Sequence, residues 1–274
     1  MGDLKGRKAL VTGGAQSIGA AIAAALAAAG ADVVIGDIQD DVGRATAKDL
    51  EAKGGRTGFV HLDVTKDKDW EAAIPEIIRQ IGGLDIVVNN AGIEVTALVA
   101  DIDADSMLRM FNINCVGTAL GMKHAFRAMR PGGPAGNGGS VVNIASVAAT
   151  IAFPAIAAYS GSKSAVDRMT RVAAVEAGKL GYGVRVNCVY PGLIANSMGV
   201  ALANDIVALG LAPDVPTAVG GVVEQTPLGR LPSSRKSPMR SCSSAPMPRG
   251  SSPASDCRSM AAWEPRARAC LNPR

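Results

Sequence analysis

Histidine is almost missing from this chain: only His61 and His124 occur among 274 residues. A Ser-His-Asp triad or a histidine-built metal site is disfavoured on supply alone. The five cysteines, Cys115, Cys188, Cys242, Cys257 and Cys270, show neither the paired spacing of a metal site nor the density of a disulfide framework. They read as buried or free thiols, and no metal is expected. Aromatic residues make up only 3%, so Ala, Val, Ile and Leu must fill the core. Long apolar runs are also absent. The Ala-rich stretch at 20–31 is shorter than the ~20 residues needed to cross a bilayer. The first residues lead into no apolar segment of the kind a signal peptide carries. A soluble cytoplasmic protein with no membrane partner is expected.

An excess of charge of one sign is lacking as well, once the chain is divided. The net charge is +4, but residues 231–274 hold eight Lys and Arg against two Asp and Glu. The rest carries 20 basic and 22 acidic residues. The basic character therefore belongs to the tail. That tail is dominated by Ser, Pro and Arg, keeps no apolar period, and resists packing. Apart from Trp263 it has no side chain on which a base could stack, so nucleic-acid binding through it would rest on charge alone and be unspecific. No nucleic-acid partner is expected.

What is present is a steady alternation of strand and helix signals up to about residue 230. Apolar strands are predicted at 8–11, 32–36, 58–62, 84–88, 140–144 and 184–189. Helices are predicted at 17–29, 41–53, 67–80, 105–129 and 155–180. The Gly/Pro-rich segment 131–139 reads as a surface loop, and the apolar segment 196–223 as a helical lid. Near-continuous apolar strands between helices imply a parallel sheet covered on both faces. Right-handed crossovers make it doubly wound. The expected fold is α/β: a single Rossmann-type doubly wound parallel sheet over residues 1–231, followed by an irregular tail at 232–274.

Thr12-Gly13-Gly14-Ala15-Gln16-Ser17-Ile18-Gly19 joins the first strand to the first helix. Glycines there let the backbone approach a pyrophosphate, and the helix start offers N–H groups and a positive dipole end. Asp37 ends the second strand, 24 residues after Gly13. A carboxylate at that point accepts hydrogen bonds from both hydroxyls of an adenosine ribose and repels a 2′-phosphate. No Lys or Arg lies in the turn or between Asp37 and Asp41. NAD is therefore favoured over NADP, with Asp37 as a plain helix cap the alternative. Asp63-Val64 and Asn89-Asn90-Ala91-Gly92 follow the third and fourth strands, at the carboxyl edge where open α/β sheets bind ligands.

Tyr159 and Lys163 are one helical turn apart and point from one face. An ammonium beside a phenol is expected to lower the phenol's pKa, making it a proton donor or acceptor near neutral pH. Ser146, just beyond the fifth strand, can hold a substrate oxygen. Taken together, Thr12-Gly13 to Gly19, Asn89-Asn90-Ala91-Gly92, Asn114, Ser146, Tyr159-Ser160-Gly161-Ser162-Lys163 and Pro191-Gly192 resemble the short-chain dehydrogenase/reductase family, in order and at the family's spacing. The match runs over about 5–231. The resemblance implies that Tyr159 is the general acid/base and that Lys163 binds the nicotinamide ribose and lowers the Tyr159 pKa. It implies that Ser146 orients the substrate oxygen and that Asn114 holds a water linking Lys163 to solvent. It makes Gly13, Ser17, Ile18, Gly19, Asp37, Ile38, Asp63, Val64, Asn90, Ala91, Gly92, Tyr159, Lys163, Pro191, Gly192 and Ile194 the NAD contacts. Ser17 departs from the pattern, which usually has Gly there. The substrate expected is an apolar secondary alcohol or ketone, alicyclic or steroid-like, because Val147, Ala148, Ile151, Phe153, Leu193, Ile194, Met198 and Val200 are apolar, with Glu94 and Asn196 as polar contacts. A 3-oxoacyl thioester is the alternative substrate, and a non-catalytic or defective NAD-binding protein the alternative class.

The family continues past Leu231 with a helix and a last strand, and its tetramers use that region. A homo-oligomer is thus implied by the resemblance, while the tail here is of another kind. Reading each neighbouring frame from the last base of one codon and the first two of the next gives a pattern. Met239 before a CGN Arg240 yields Ala, Met247 before Pro248 yields Ala, Asp256 before Cys257 yields Leu, and Met260 before Ala261 yields Gly. With free choice of the remaining bases, residues 236–243 read Ile-Ala-Asp-Ala-Val-Leu-Phe, which is similar to the family's C-terminal helix. Residues from about Pro232 onward are therefore expected to be translated out of frame, the alternative being a genuine basic tail. Sequencing the coding DNA should show those family-like codons in the neighbouring frame; unrelated codons there would overturn the frameshift.

Overall fold

The computed structural model describes residues 4–51 and 56–224. Six strands form one parallel sheet: β1 (Lys8–Thr12), β2 (Asp32–Asp37), β3 (Thr57–His61), β4 (Ile86–Asn89), β5 (Gly139–Ile144) and β6 (Val184–Val189). Their order is β3-β2-β1-β4-β5-β6. Eight α-helices accompany them among the described residues: α1 (Ser17–Ala28), α2 (Asp40–Glu51), α3 (Asp67–Ile81), α4 (Ala104–Phe111), α5 (Gly117–Met129), α6 (Ala157–Lys179), α7 (Ser197–Ala208) and α8 (Val215–Glu224). All strands run one way, so every carboxyl end lies along one edge. The order reverses between β1 and β4, which opens a crevice there.

Successive side chains of β1 go to opposite faces, and both faces are buried. Leu10 joins a core with Val34, Val87 and Val141 under α3 and α5. Its neighbours Ala9 and Val11 pack with Val33 and Ile35 under α1 and α2. This double burial is why the strands read as unbroken apolar runs. Trp70 on α3 is fully buried, stacks on His124 at 5.8 Å, and donates its indole N–H to the carbonyl of Val64 at 3.0 Å. The largest core side chain thus fixes the segment that leaves β3 for the crevice. A polar chain runs through the other half of the sheet. Asn89 donates to Asn143 at 2.8 Å, and Asn143 donates to Thr170 on α6 at 2.8 Å. It ties β4, β5 and α6 together beneath the crevice.

Three elements differ from the sequence expectation. The helix expected over 105–129 is divided: a π-helical stretch, Asn112–Val116, joins α4 to α5. The helix expected from 155 begins at Ala157, because Ala155 has φ +63°, a left-handed conformation that no helix continues. The expected lid at 196–223 is two helices, broken at the turn that contains Gly210, φ +70°, and Pro213. The end of the second helix expected at 53, the domain boundary at 231 and the whole tail at 232–274 lie outside the described residues. Among the described residues, no helix is long and apolar enough to cross a membrane.

Candidate active site

The glycine turn is built by reciprocal bonds from side chains to backbone. The Thr12 hydroxyl accepts from the N–H groups of Asn90, at 3.0 Å, and Ala91, at 3.2 Å. The Asn90 carboxamide donates back to the carbonyls of Thr12 and Gly13, both at 3.0 Å. The two loops therefore lie so close that a Cβ on Gly13 would come within 2.7 Å of Ala91 Cα, and one on Gly19 within 2.0 Å of the Gly13 carbonyl oxygen. The spacing of glycines in the sequence is set by this contact as much as by any ligand. Asp37, 6% exposed, accepts from Ala15 N–H at 3.0 Å and from Gln39 N–H at 3.0 Å. It thus closes the turn as well as facing the cavity.

A cavity of about 680 Å³ occupies the crevice. Gly13, Ser17, Ile18, Gly19, Asp37, Ile38, Asp63 and Val64 line one end, at β1 to β3. Asn90, Ala91 and Gly92 line its middle. Ser146, Tyr159, Lys163, Pro191, Gly192 and Ile194 line the end at β5 and β6. Of the substrate-side residues named from sequence, Val147, Ala148, Phe153, Leu193, Met198, Glu94 and Asn196 line it, whereas Ile151 and Val200 do not. Sequence reasoning missed Leu202 and Ile206 on α7, and Ala218 and Val222 on α8, which close the apolar side. Their signal was present in the apolar lid segment but not its register.

Asn114 is not part of the cavity wall. It lies in the π-helical stretch, 1% exposed, and its carboxamide grips the backbone of Ile93: Oδ1 accepts from the N–H and Nδ2 donates to the carbonyl, both at 2.9 Å. Nδ2 also donates to Ser162 Oγ at 3.0 Å. Ser162, whose hydroxyl donates to the Tyr159 carbonyl at 2.8 Å, went unnoticed in the sequence although it sits inside the Tyr-x-x-x-Lys motif. A Cβ on Gly92 would come 3.1 Å from Asn114 Oδ1 and 3.4 Å from Lys163 Nζ. The missing side chain leaves open the space between those two groups.

The expected lowering of the Tyr159 pKa is not found. Burial pushes the phenol up to about 12; the Ser146 side chain pulls it down and the Glu94 charge pushes it further up. Lys163 lies 5.7 Å from the Tyr159 ring centre and donates to the Ile144 carbonyl at 2.9 Å. It is 5% exposed, and burial brings its pKa down to about 8. Desolvation shifts each group toward its neutral form, though Lys163 stays mostly protonated at neutral pH.

A dinucleotide fits these residues. The first turn of α1 carries no acidic side chain, and Gln16 at its N-cap makes no side-chain capping bond. Its N–H groups are left to an anion, and the glycine turn brings backbone up to it. The sequence signature described as short chain dehydrogenase matches residues 7–206. The chain belongs to the short-chain dehydrogenase/reductase family. It is 39% identical over 216 residues to trans-4-hydroxycyclohexanecarboxylate dehydrogenase of Sinomonas cyclohexanicum, covering 76% of this chain and 80% of that protein. It is 38% identical over 224 residues to 3-alpha-(or 20-beta)-hydroxysteroid dehydrogenase of Mycobacterium bovis, covering 81% and 82%. The solved NAD+-bound xylitol dehydrogenase has a TM-score of 0.79 at 27% identity, covering 85% of this chain and 89% of that one. As a short-chain dehydrogenase/reductase, the protein is an oxidoreductase of alcohols and ketones that uses a nicotinamide cofactor.

Ser17 replaces the glycine usual in this family. Its φ is +55°, where a side chain costs on the order of 1 kcal/mol. Its hydroxyl accepts from Asn196 Nδ2 at 3.0 Å, while Asn196 Oδ1 caps α7 by accepting from Gly199 N–H. Ser17→Ala removes this bond and keeps the strain; Ser17→Gly removes both. The glycine variant should therefore be the more stable of the two by about 1 kcal/mol, or about 2–4 °C in Tm, although alanine is the better helix former. Thermal unfolding with alanine equal or ahead would refute the strain. Lys163 gives a second test. Folded, it loses its proton near pH 8, and an unfolded lysine keeps it to 10.5. The unfolded chain binds the extra proton inside that window, so stability rises with pH across it. Urea unfolding should show this rise in the wild type relative to Lys163→Met; parallel profiles would count against a desolvated ammonium.

Proposed function

We propose that the protein transfers hydride between NAD(H) and an apolar secondary alcohol or ketone of alicyclic or steroid-like shape, with Tyr159 as general acid/base, in the cytoplasm. The observation that carries this reading is the single cavity that has Asp37 at one end and Ser146, Tyr159 and Lys163 at the other. Lys163 is the one Lys or Arg among the described residues that line it, so no cation is on hand for a 2′-phosphate. The relatives act, by their names, on a hydroxycyclohexanecarboxylate and on hydroxysteroids.

In ketone reduction, Ser146 Oγ donates to the carbonyl oxygen and holds it beside the phenol. Tyr159, kept protonated by burial, gives its proton to that oxygen as negative charge develops there. A nicotinamide held by Asn90, Ala91, Gly92, Lys163, Pro191, Gly192 and Ile194 would supply the hydride chemistry at the carbonyl carbon. In alcohol oxidation the Tyr159 phenolate takes the same proton back from the hydroxyl. Until it does, the phenolate needs positive charge nearby, which the Lys163 ammonium one turn along α6 provides. The apolar wall from α7 and α8 excludes water. Assembly into a homo-oligomer is part of the same proposal and rests on the family alone.

A panel of secondary alcohols offered with NAD and with NADP, followed by absorbance of the reduced cofactor, tests the proposal. Turnover of alicyclic alcohols is expected with NAD, and Tyr159→Phe should lower kcat/KM by about 10²–10⁴-fold while leaving the fold intact. Turnover with NADP alone would overturn the role given to Asp37, and full turnover by Tyr159→Phe the role given to the phenol.

A further inference from the structure

On the substrate side the cavity wall is apolar, formed by Phe153, Ile156, Leu193, Met198, Leu202 and Ile206. One carboxylate interrupts it. Glu94 lines this part of the cavity, and among the described lining residues the other carboxylates, Asp37 and Asp63, follow β2 and β3 at the opposite end. An acid placed in such a wall is costly unless something engages it.

Glu94 is also firmly placed. The residue before it, Ile93, has both its N–H and its carbonyl held by Asn114. Three residues later Ala97 donates to the Ala155 carbonyl at 2.8 Å and bridges to Ile156, at the threshold of α6. The stretch that carries Glu94 is thus pinned at both ends to parts that hold Tyr159 in place. Of the two carboxyl oxygens, Oε1 accepts from Thr96 Oγ1 at 3.0 Å. Among the described residues no hydrogen bond reaches Oε2. Burial raises the Glu94 pKa, with the Asp205 carboxylate on α7 adding to it, and the Glu94 charge in turn raises the Tyr159 phenol. The two groups face a common space.

We propose that Glu94 accepts a hydrogen bond from a second hydroxyl of the substrate, so that the preferred substrate is an alicyclic diol or hydroxyketone rather than a simple alcohol or ketone. This rests on the oxidoreductase reading of the same cavity. The reacting oxygen lies between Ser146 and Tyr159, and the distal hydroxyl reaches Glu94 across the apolar ring. A hydroxyl suits the site better than an ammonium. A cation would have to be stripped of water in an apolar cavity that already holds the Lys163 ammonium. A neutral donor loses far less hydration and still gains a bond to a charged acceptor.

The test uses the purified full chain with NAD and compares cyclohexanol, the cyclohexane-1,2-, 1,3- and 1,4-diols, and 4-aminocyclohexanol. At least one diol should exceed cyclohexanol in kcat/KM by about ten- to a hundredfold, chiefly through KM. Glu94→Leu should bring that ratio near unity, and Glu94→Gln, whose amide oxygen still accepts, should keep part of it. Equal kcat/KM for cyclohexanol and every diol overturns this inference alone, as does a ratio unchanged in Glu94→Leu. Preference for the amino alcohol over the diols overturns the choice of a hydroxyl. No turnover of any alcohol with NAD or NADP overturns the oxidoreductase reading beneath it.

Discussion

One carboxamide holds the active-site side of this molecule together. Asn114 clamps the Ile93 backbone through its N–H and its carbonyl and reaches Ser162 on α6. Three chain segments far apart in sequence meet at this buried group: the loop after β4, the π-helical stretch between α4 and α5, and the helix that carries the phenol and the ammonium. The widened helical turn exists where the clamp is needed. Such π-type irregularities recur at functional sites. Because both amide protons are engaged, the side chain has a fixed orientation, and the cavity wall built on it inherits that rigidity.

Desolvation, rather than the nearness of Tyr159 and Lys163, governs the pKa values of the two groups. The phenol goes up to about 12 and the ammonium comes down to about 8, both through burial. The ammonium meanwhile spends a donor on the Ile144 carbonyl. Pairing a phenol with a lysine one helical turn away is therefore not enough to lower the phenol's pKa when both are buried.

The sheet was legible in the sequence because parallel strands buried on both faces give near-continuous apolar runs, and turn glycines mark where they end. All six strands lie within a residue or two of their predicted places. The site was legible for a different reason: Gly13, Gly19, Asn90, Tyr159 and Lys163 occupy positions where close approach or a shared helix face leaves few alternatives. What stayed hidden depends on long-range partners. Nothing local marks Asn114 as the centre of a widened turn, since its grip on Ile93 spans 21 residues. Ala155 gives no sign of its left-handed backbone, because alanine ordinarily extends a helix. The pKa order of Tyr159 and Lys163 was missed because spacing along a helix reports neighbours and not the depth at which they are buried.

The bond between Ser17 and Asn196 makes one mechanical piece out of the mouth of the cavity and the first turn of α7. Asn196 spends one end of its carboxamide on the helix and the other on the turn. Displacing the glycine turn from α7 would therefore disturb a helix cap together with a cross-link, because one planar amide makes both.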